Sequence, residues 1–300
     1  MLSNYLAKES SLNSLIYYKD EPLAPHSTFG IGGQCDYFVK PLNESALIAL
    51  IGVLKKTEAP YFVIGNGSNL LFDDRGFRGC VISTKELKTV TLRGETIHAE
   101  CGASLIALSS LAAKHSLTGL EFACSIPATL GGAVYMNAGA YGGEMKDIIT
   151  TVRYLDTDGS VQTTLDHGFD YRHSVYQNTD RIILSASLTL KSGSGEEIYA
   201  RMQENKAKRS NTQPIHEKSA GSVFRRMENV IPAKLIDEAG LKGLCVGDAA
   251  VSCKHAGFIV NKGNATSADV LALIALIETT IQKRYGVSLS CEIRYIPERQ

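Results

Sequence analysis

The sequence has no tryptophan in its 300 residues and no surplus of either charge, with 31 Lys and Arg against 31 Asp and Glu. A chain without net charge is poorly matched to nucleic acid or to an anionic membrane surface, so neither is expected as a partner. Its seven cysteines, at 35, 80, 101, 124, 245, 253 and 291, are odd in number and form no CxxC pair. That pattern predicts reduced, mostly buried thiols and a cytoplasmic setting, and argues against a disulfide framework or a zinc site. The seven His form no HExxH or HxH pair, so no metal is expected. The longest apolar stretch, Leu271 to Ile277, stops at Glu278 and is too short to cross a bilayer. The opening MLSNYLAKESSLNSLIYY has no basic region leading into an apolar core, so no secretory signal is expected. Walker A, GxGxxG and GxSxG signatures are all missing.

What is present is an ordinary globular composition, 44% hydrophobic and 21% charged, in a chain long enough for two or three domains. Asn43 is placed to cap a helix to about Thr57, with Leu47, Leu50, Ile51 and Leu54 on one face. Pro60 opens YFVIGNGSNLLF, an apolar strand, a small polar turn and a second apolar run. Strands are expected at 79–83, 88–92 and 96–101, and a helix at 103–115. Asp158-Gly159 between two alternating runs predicts a hairpin, and 182–190 a further strand. Lys191-Ser-Gly-Ser-Gly195 has the composition of a linker or turn and marks a domain boundary. Beyond it come a polar helix at 196–210, a short one at 232–239 and a long one from Thr266 or Ser267 to before Gly286. Clean alternation from Val287 to Ile296 predicts a last strand, with Glu292 and Arg294 on one face.

Four features are candidates for chemistry. Ser125–Gly142 holds four Gly and, with Ala123 just before it, five Ala. Such a stretch either cradles a phosphate or the polar edge of a flat ring with its main-chain N–H groups, or packs as a tight turn. Gly65-Asn66-Gly67-Ser68-Asn69, directly after a strand, offers the same two readings. Between Arg201 and Arg226 seven basic residues face two acidic ones, either an anion site or a solvated basic helix. Ser222, in KSAGSVFRR, is a turn serine, a proton donor or a ligand contact; nothing nearby in sequence activates it as a nucleophile.

Nine motifs then fall in one order: TFGIGG (28–33), VIGNGSNLLF (63–72), IPATLGGAVYMNAGAYG (126–142), YRHSVY (171–176), KRSNTQP (208–214), SAGSVF (219–224), KLIDEAGLKG (234–243), KHAGFIVN (254–261) and EIRYI (292–296). In this order they resemble the UDP-N-acetylenolpyruvoylglucosamine reductase (MurB) family of flavoenzymes. The resemblance implies an α+β chain. Two subdomains, 1–58 and 59–190, would form an FAD-binding fold of the vanillyl-alcohol-oxidase/PCMH type, and 191–300 a C-terminal α+β substrate domain. It implies reduction of the enolpyruvyl ether of a UDP-sugar by NADPH through FAD, in a cytoplasmic monomer whose partner is its small sugar-nucleotide substrate.

By resemblance Arg172, Ser222 and Glu292 are catalytic, with Ser222 the proton donor. Gly65, Asn66, Gly67, Ser68, Asn69, Ile126, Pro127, Ala128, Thr129, Gly132 and Ala133 are expected to contact the cofactor, and Arg209, Arg226 and Arg294 the substrate. The family reads Gly where this chain has Ser125 and Ala128, and Lys-Asn-Pro where it has Arg225-Arg226-Met227.

Overall fold

The computed structural model describes residues 14–299. Residues 1–13, which bear most of the expectation that there is no secretory signal, lie outside the described part. The chain divides into two compact units that alternate along the sequence. Among the described residues, unit 1 comprises 14–18, 38–66 and 80–208, and unit 2 comprises 19–37, 67–79 and 209–299.

The first helix of unit 1 is α1, Glu44–Lys56. The Asn43 side chain accepts a hydrogen bond from the Ala46 N–H, and Leu47, Leu50, Ile51 and Leu54 are buried. This is an N-cap followed by an apolar face at helical spacing. Strand Tyr61–Ile64 runs parallel to the strand Phe77–Ser83, pairing Tyr61 with Cys80 and Ile64 with Ser83. The main sheet has five strands, ordered Val161–Thr164, Ile149–Leu155, Ile182–Thr189, Thr96–Glu100, Val90–Arg93, all antiparallel. Gly159 closes its Asp158-Gly159 hairpin at φ 87°. Helix α2, Leu105–Lys114, is capped by Ser104. The six-residue α3, Leu130–Tyr135, lies inside the Gly/Ala-rich stretch and packs on the strand Ile182–Thr189.

The linker reading at Lys191–Gly195 is corrected. Lys191–Ser192 pairs antiparallel with Leu117–Thr118, and Ser192 donates from N and Oγ to Glu95 Oε1 at 2.8 and 2.6 Å. The small residues serve close strand pairing, not freedom. Helix α4, Gly195–Thr212, therefore begins within unit 1, and the division falls in its last turn. Two of the basic residues counted there are engaged in ion pairs, Arg201 with Glu121 at 2.7 Å and Lys208 with Glu204 at 2.6 Å.

Unit 2 contains α5, Pro232–Glu238, and α6, Ser267–Tyr285. Val270, Leu273, Ile274, Ile277 and Ile281 form the buried stripe of α6. They join Phe29, Ile31, Leu71, Val223, Val251 and Ile259 in one apolar core. Thr266 and Asp269 form a capping box, and Gly286 ends the helix at φ 69°. The Asp74 carboxylate adds to that N-terminus, accepting from Ser267 N at 2.8 Å, Ser267 Oγ at 2.8 Å and Ala268 N at 3.2 Å.

The predicted strand 287–296 is also corrected: only Arg294–Ile296 is a strand, parallel to Leu70–Phe72. A bend at Ile293 breaks the alternation, so Ile293 and Ile296 are both buried at a spacing of three. Four of the seven cysteines are buried; Cys245 and Cys253 are exposed and Cys291 is half-buried. Among the described residues no helix is long and apolar enough to cross a membrane.

The last strand is tied to Asp73, which accepts from Arg75 Nη2 at 2.7 Å, Arg75 Nε at 3.1 Å and the Tyr295 hydroxyl at 2.5 Å. The Arg75 hydrogen bonds, aided by Tyr295, hold the Asp73 carboxyl far below the usual carboxylate range. A folded pKa below the unfolded one means that this stability is present above the unfolded value of about 4 and is lost as pH falls below it. Asp73→Ala is expected to cost about 1–3 kcal/mol at pH 7. In urea unfolding, the gap between wild type and variant should close as pH is lowered below about 4; a gap independent of pH would contradict the assignment.

Candidate active site

In unit 1 the site begins where strand Tyr61–Ile64 ends at Gly65. A Cβ on Gly65 would lie 2.1 Å from Thr129 Oγ1, so only glycine lets this turn meet the Gly/Ala-rich loop so closely. Asn66 Nδ2 donates to the Pro127 carbonyl at 2.8 Å. The loop is pinned from behind: Leu105 N donates to the Ala128 carbonyl at 3.0 Å, Leu130 N to Ala103 at 2.8 Å and Gly131 N to Cys101 at 2.7 Å. Thr129 caps α3, its Oγ1 accepting from Gly132 N at 3.4 Å. Ile126 and Ala133 complete this loop; Ala133 is buried and donates from N to the Thr129 carbonyl at 2.9 Å.

Ala128 and Ser125, where the resemblance expects glycine, are not among the left-handed residues, so a Cβ is tolerated at both. Ser125 Oγ is buried and has no hydrogen-bond partner among the described residues. Buried hydroxyls are normally satisfied, so this one suits a polar ligand atom at the loop.

Arg172 is also in unit 1. Its φ is 54°, the left-handed region, which costs a non-glycine residue roughly 1–2 kcal/mol. Strain of this size persists where the surroundings impose it, and such residues cluster at functional sites. Arg172 Nη2 donates to the Gly139 carbonyl at 3.0 Å, and the guanidinium carbon stands 5.2 Å from the Tyr171 ring centroid. Asn137, fully buried, receives Lys146 N on Oδ1 at 2.9 Å and donates to Glu144 Oε2 at 2.7 Å. Sequence reasoning did not single it out; a carboxamide among Gly and Ala was the available signal.

In unit 2 the Gly67–Asn69 half of the small polar turn has a different setting. Gly67 has φ 64°, and a Cβ there would sit 2.3 Å from the His26 carbonyl. Asn69 Nδ2 donates to the Glu292 carbonyl at 3.1 Å, and Arg294 N donates to the Asn69 carbonyl at 3.0 Å. Asn69 thus holds the segment that carries Glu292 and Arg294. Ser222 follows Gly221, φ 80°, and bridges to Phe258; it is exposed. Val223 N donates to the Gly257 carbonyl at 2.8 Å, and Glu292 N donates to Val223 at 2.6 Å. The backbone therefore sets Ser222 and Glu292 on neighbouring extended segments. Arg209 and Arg294 are half-buried and Arg226 is exposed. Arg225 Nε is buried and has no hydrogen-bond partner among the described residues.

These features coincide with two family models. One, the UDP-N-acetylenolpyruvoylglucosamine reductase C-terminal domain, matches residues 213–296, and the other, an FAD binding domain, matches 35–165. The UDP-N-acetylenolpyruvoylglucosamine reductase of Caldanaerobacter subterraneus subsp. tengcongensis is 44% identical over 284 residues, covering 94% of both chains. The chain belongs to the UDP-N-acetylenolpyruvoylglucosamine reductase family. The enzyme of that name from Agathobacter rectalis is 45% identical, covering 93% of this chain and 94% of its own. The crystal structure of the enzyme from Thermus caldophilus superposes with a TM-score of 0.80 at 36% identity, covering 94% of this chain and 99% of that one.

The residues present fit FAD. The match at 35–165 includes the Gly65–Thr129 approach, and Ser125, in the same loop as Thr129, supplies a buried hydroxyl without a partner among the described residues. Gly65→Ala is expected to destabilise the protein by about 1–3 kcal/mol through overpacking. In a Thr129→Ala background, which removes the colliding Oγ1 and separately costs the α3 cap, Gly65→Ala should lower the thermal unfolding midpoint less than it does in the wild type. An equal loss in both backgrounds would mean that the Gly65–Thr129 approach is not what the glycine serves.

Proposed function

We propose that the chain reduces the enolpyruvyl ether of UDP-N-acetyl-3-O-(1-carboxyvinyl)-glucosamine to the lactyl ether of UDP-N-acetylmuramate. NADPH is the electron donor and FAD the bound cofactor, and the reaction serves peptidoglycan precursor synthesis. The observation that carries this reading is 44% identity to a named reductase across 94% of both chains. We assign a cytoplasmic, monomeric enzyme on the same grounds, with the family's C-terminal domain beginning after the division at 208 and not at 191.

The chemistry explains the residues. Hydride addition to the terminal methylene pushes electrons toward a carboxylate that is already anionic, so the transition state needs fixed positive charge and hydrogen bonds there. Arg172 supplies the guanidinium. Its strained backbone and its bond to Gly139 hold that group in one orientation, which is what preorganisation requires. Glu292 is the second group we assign to the carboxylate end, in its protonated form, which donates a hydrogen bond there. Ser222 gives its hydroxyl proton to the carbon that bears the carboxylate, completing saturation of the double bond. Bound FAD would supply the hydride after reduction by NADPH. Arg209, Arg226 and Arg294 are proposed to bind the diphosphate and sugar, for which forked donors are well suited.

The test is spectroscopic. The yellow holoenzyme should bleach with NADPH under anaerobic conditions and regain its colour when the enolpyruvyl nucleotide is added. Bleaching without recovery would reject the substrate. Ser222→Ala should still bleach but re-oxidise about 100-fold or more slowly; full re-oxidation at the wild-type rate would remove Ser222 from its role.

A further inference from the structure

The strained turn that carries Arg172 is tied to the end of α3 by two side-chain amides. Asp170 and His173 exchange backbone bonds, Asp170 N to His173 O at 3.2 Å and His173 N to Asp170 O at 3.0 Å, which leaves Tyr171 and Arg172 at the corner. Asn137 Nδ2 donates to the Asp170 carbonyl at 2.9 Å. Gln177 Nε2 donates to the Arg172 carbonyl at 3.0 Å and to the Tyr135 carbonyl at 2.8 Å. Tyr135 is the last residue of α3, where a helix leaves carbonyls without intrahelical partners. Ser174 Oγ donates to the same Tyr135 carbonyl at 2.7 Å. Two of the acceptors of Gln177 Nε2 are carbonyl oxygens and the third is Met136 Sδ at 3.7 Å; none of them can donate, which fixes the end of the amide that faces them.

We propose that Gln177 is a positioning residue for Arg172: its amide, shared between the Arg172 and Tyr135 carbonyls, holds the Arg172 backbone left-handed and fixes the guanidinium relative to α3 and the cofactor loop that precedes it. The proposal rests on the assignment of Arg172 to the substrate carboxylate. The physical reason is that a left-handed arginine relaxes toward commoner backbone angles unless its neighbours oppose this. Rotation of that backbone turns the carbonyl, and the carbonyl is the atom Gln177 grips. Asn137 secures the opposite end of the turn, so the two amides together leave the corner little freedom.

The closing experiment uses the FAD-loaded enzyme and separates its two half-reactions. Gln177→Met keeps the length of the side chain and removes both donors. Bleaching by NADPH should stay within about threefold of wild type, while re-oxidation by the enolpyruvyl nucleotide slows about 10- to 100-fold, the size of a loss in orientation. In an Arg172→Ala background the same substitution should add no further loss, because residues acting through one group are not additive. Backbone hydrogen exchange in the FAD-free protein should speed up at 171–175 and be unchanged in α1, a readout independent of activity. Gln177→Glu, which presents an acceptor to two carbonyls, should slow re-oxidation at least as much. Equal losses in both half-reactions, full additivity with Arg172→Ala, or wild-type re-oxidation in Gln177→Glu would each overturn the proposal. A wild-type enzyme that bleaches but is not re-oxidised by the nucleotide would instead overturn the substrate assignment.

Discussion

Backbone that leaves helix or strand must find hydrogen-bond partners elsewhere, and a carboxamide side chain, with two donors and an acceptor, is well suited to provide them. In this chain the segments that bear the candidate site are largely irregular, and amides hold them. Asn66 holds Pro127, Asn137 holds Asp170, and Gln177 holds Arg172. In unit 2, Asn69 holds Glu292, and Asn261 donates to the Phe29 carbonyl at 3.2 Å. Each bond contributes about 1 kcal/mol net, but leaving its buried partner unsatisfied costs more. The loops are thereby rigid without the ladder of a sheet, and rigidity is what a preorganised site needs.

Charge is used more sparingly and at fixed places. Asp74 meets the positive end of α6, and Asp73 gathers Arg75 and Tyr295. Glu121, buried, pays a desolvation penalty that the Thr118 hydroxyl, Arg201 and the Gly119 N–H outweigh, so its carboxyl stays below the usual range. The basic run at 201–226 is therefore not a uniform anion site. Arg201 and Lys208 have acidic partners, whereas Arg225 keeps a buried nitrogen without one among the described residues. This matters for the reaction, because guanidinium groups already engaged are poor candidates for phosphate.

Much of the fold was legible because its signals are local. Caps and apolar stripes marked α1 and α6, and Asp-Gly marked the hairpin. Local signals also misled. Alternation at 287–296 predicted one strand, yet Ile293 turns the chain so that two isoleucines three residues apart reach the same interior. Ser and Gly at 191–195 read as a linker because composition does not reveal a partner strand at 117–118. Of the site, the residue identities were legible through motif order. Their conformations were not: nothing in YRHSVY announces that Arg172 is left-handed.

The sequence alone determined the helices, the hairpin, the glycine at position 65 and the family, since each depends on neighbours in the chain or on ordered motifs. Tertiary structure decided which carbonyl each amide holds. Asn66 and Pro127 are 61 positions apart, Asn137 and Asp170 are 33, and Asn69 and Glu292 are 223. No periodicity reaches over such separations. It also decided that two compact units alternate along the chain, so that the turn at 65–69 is divided between them. Contacts of that kind come from closing the chain into a core, and short-range pattern carries no information about which distant segment will arrive.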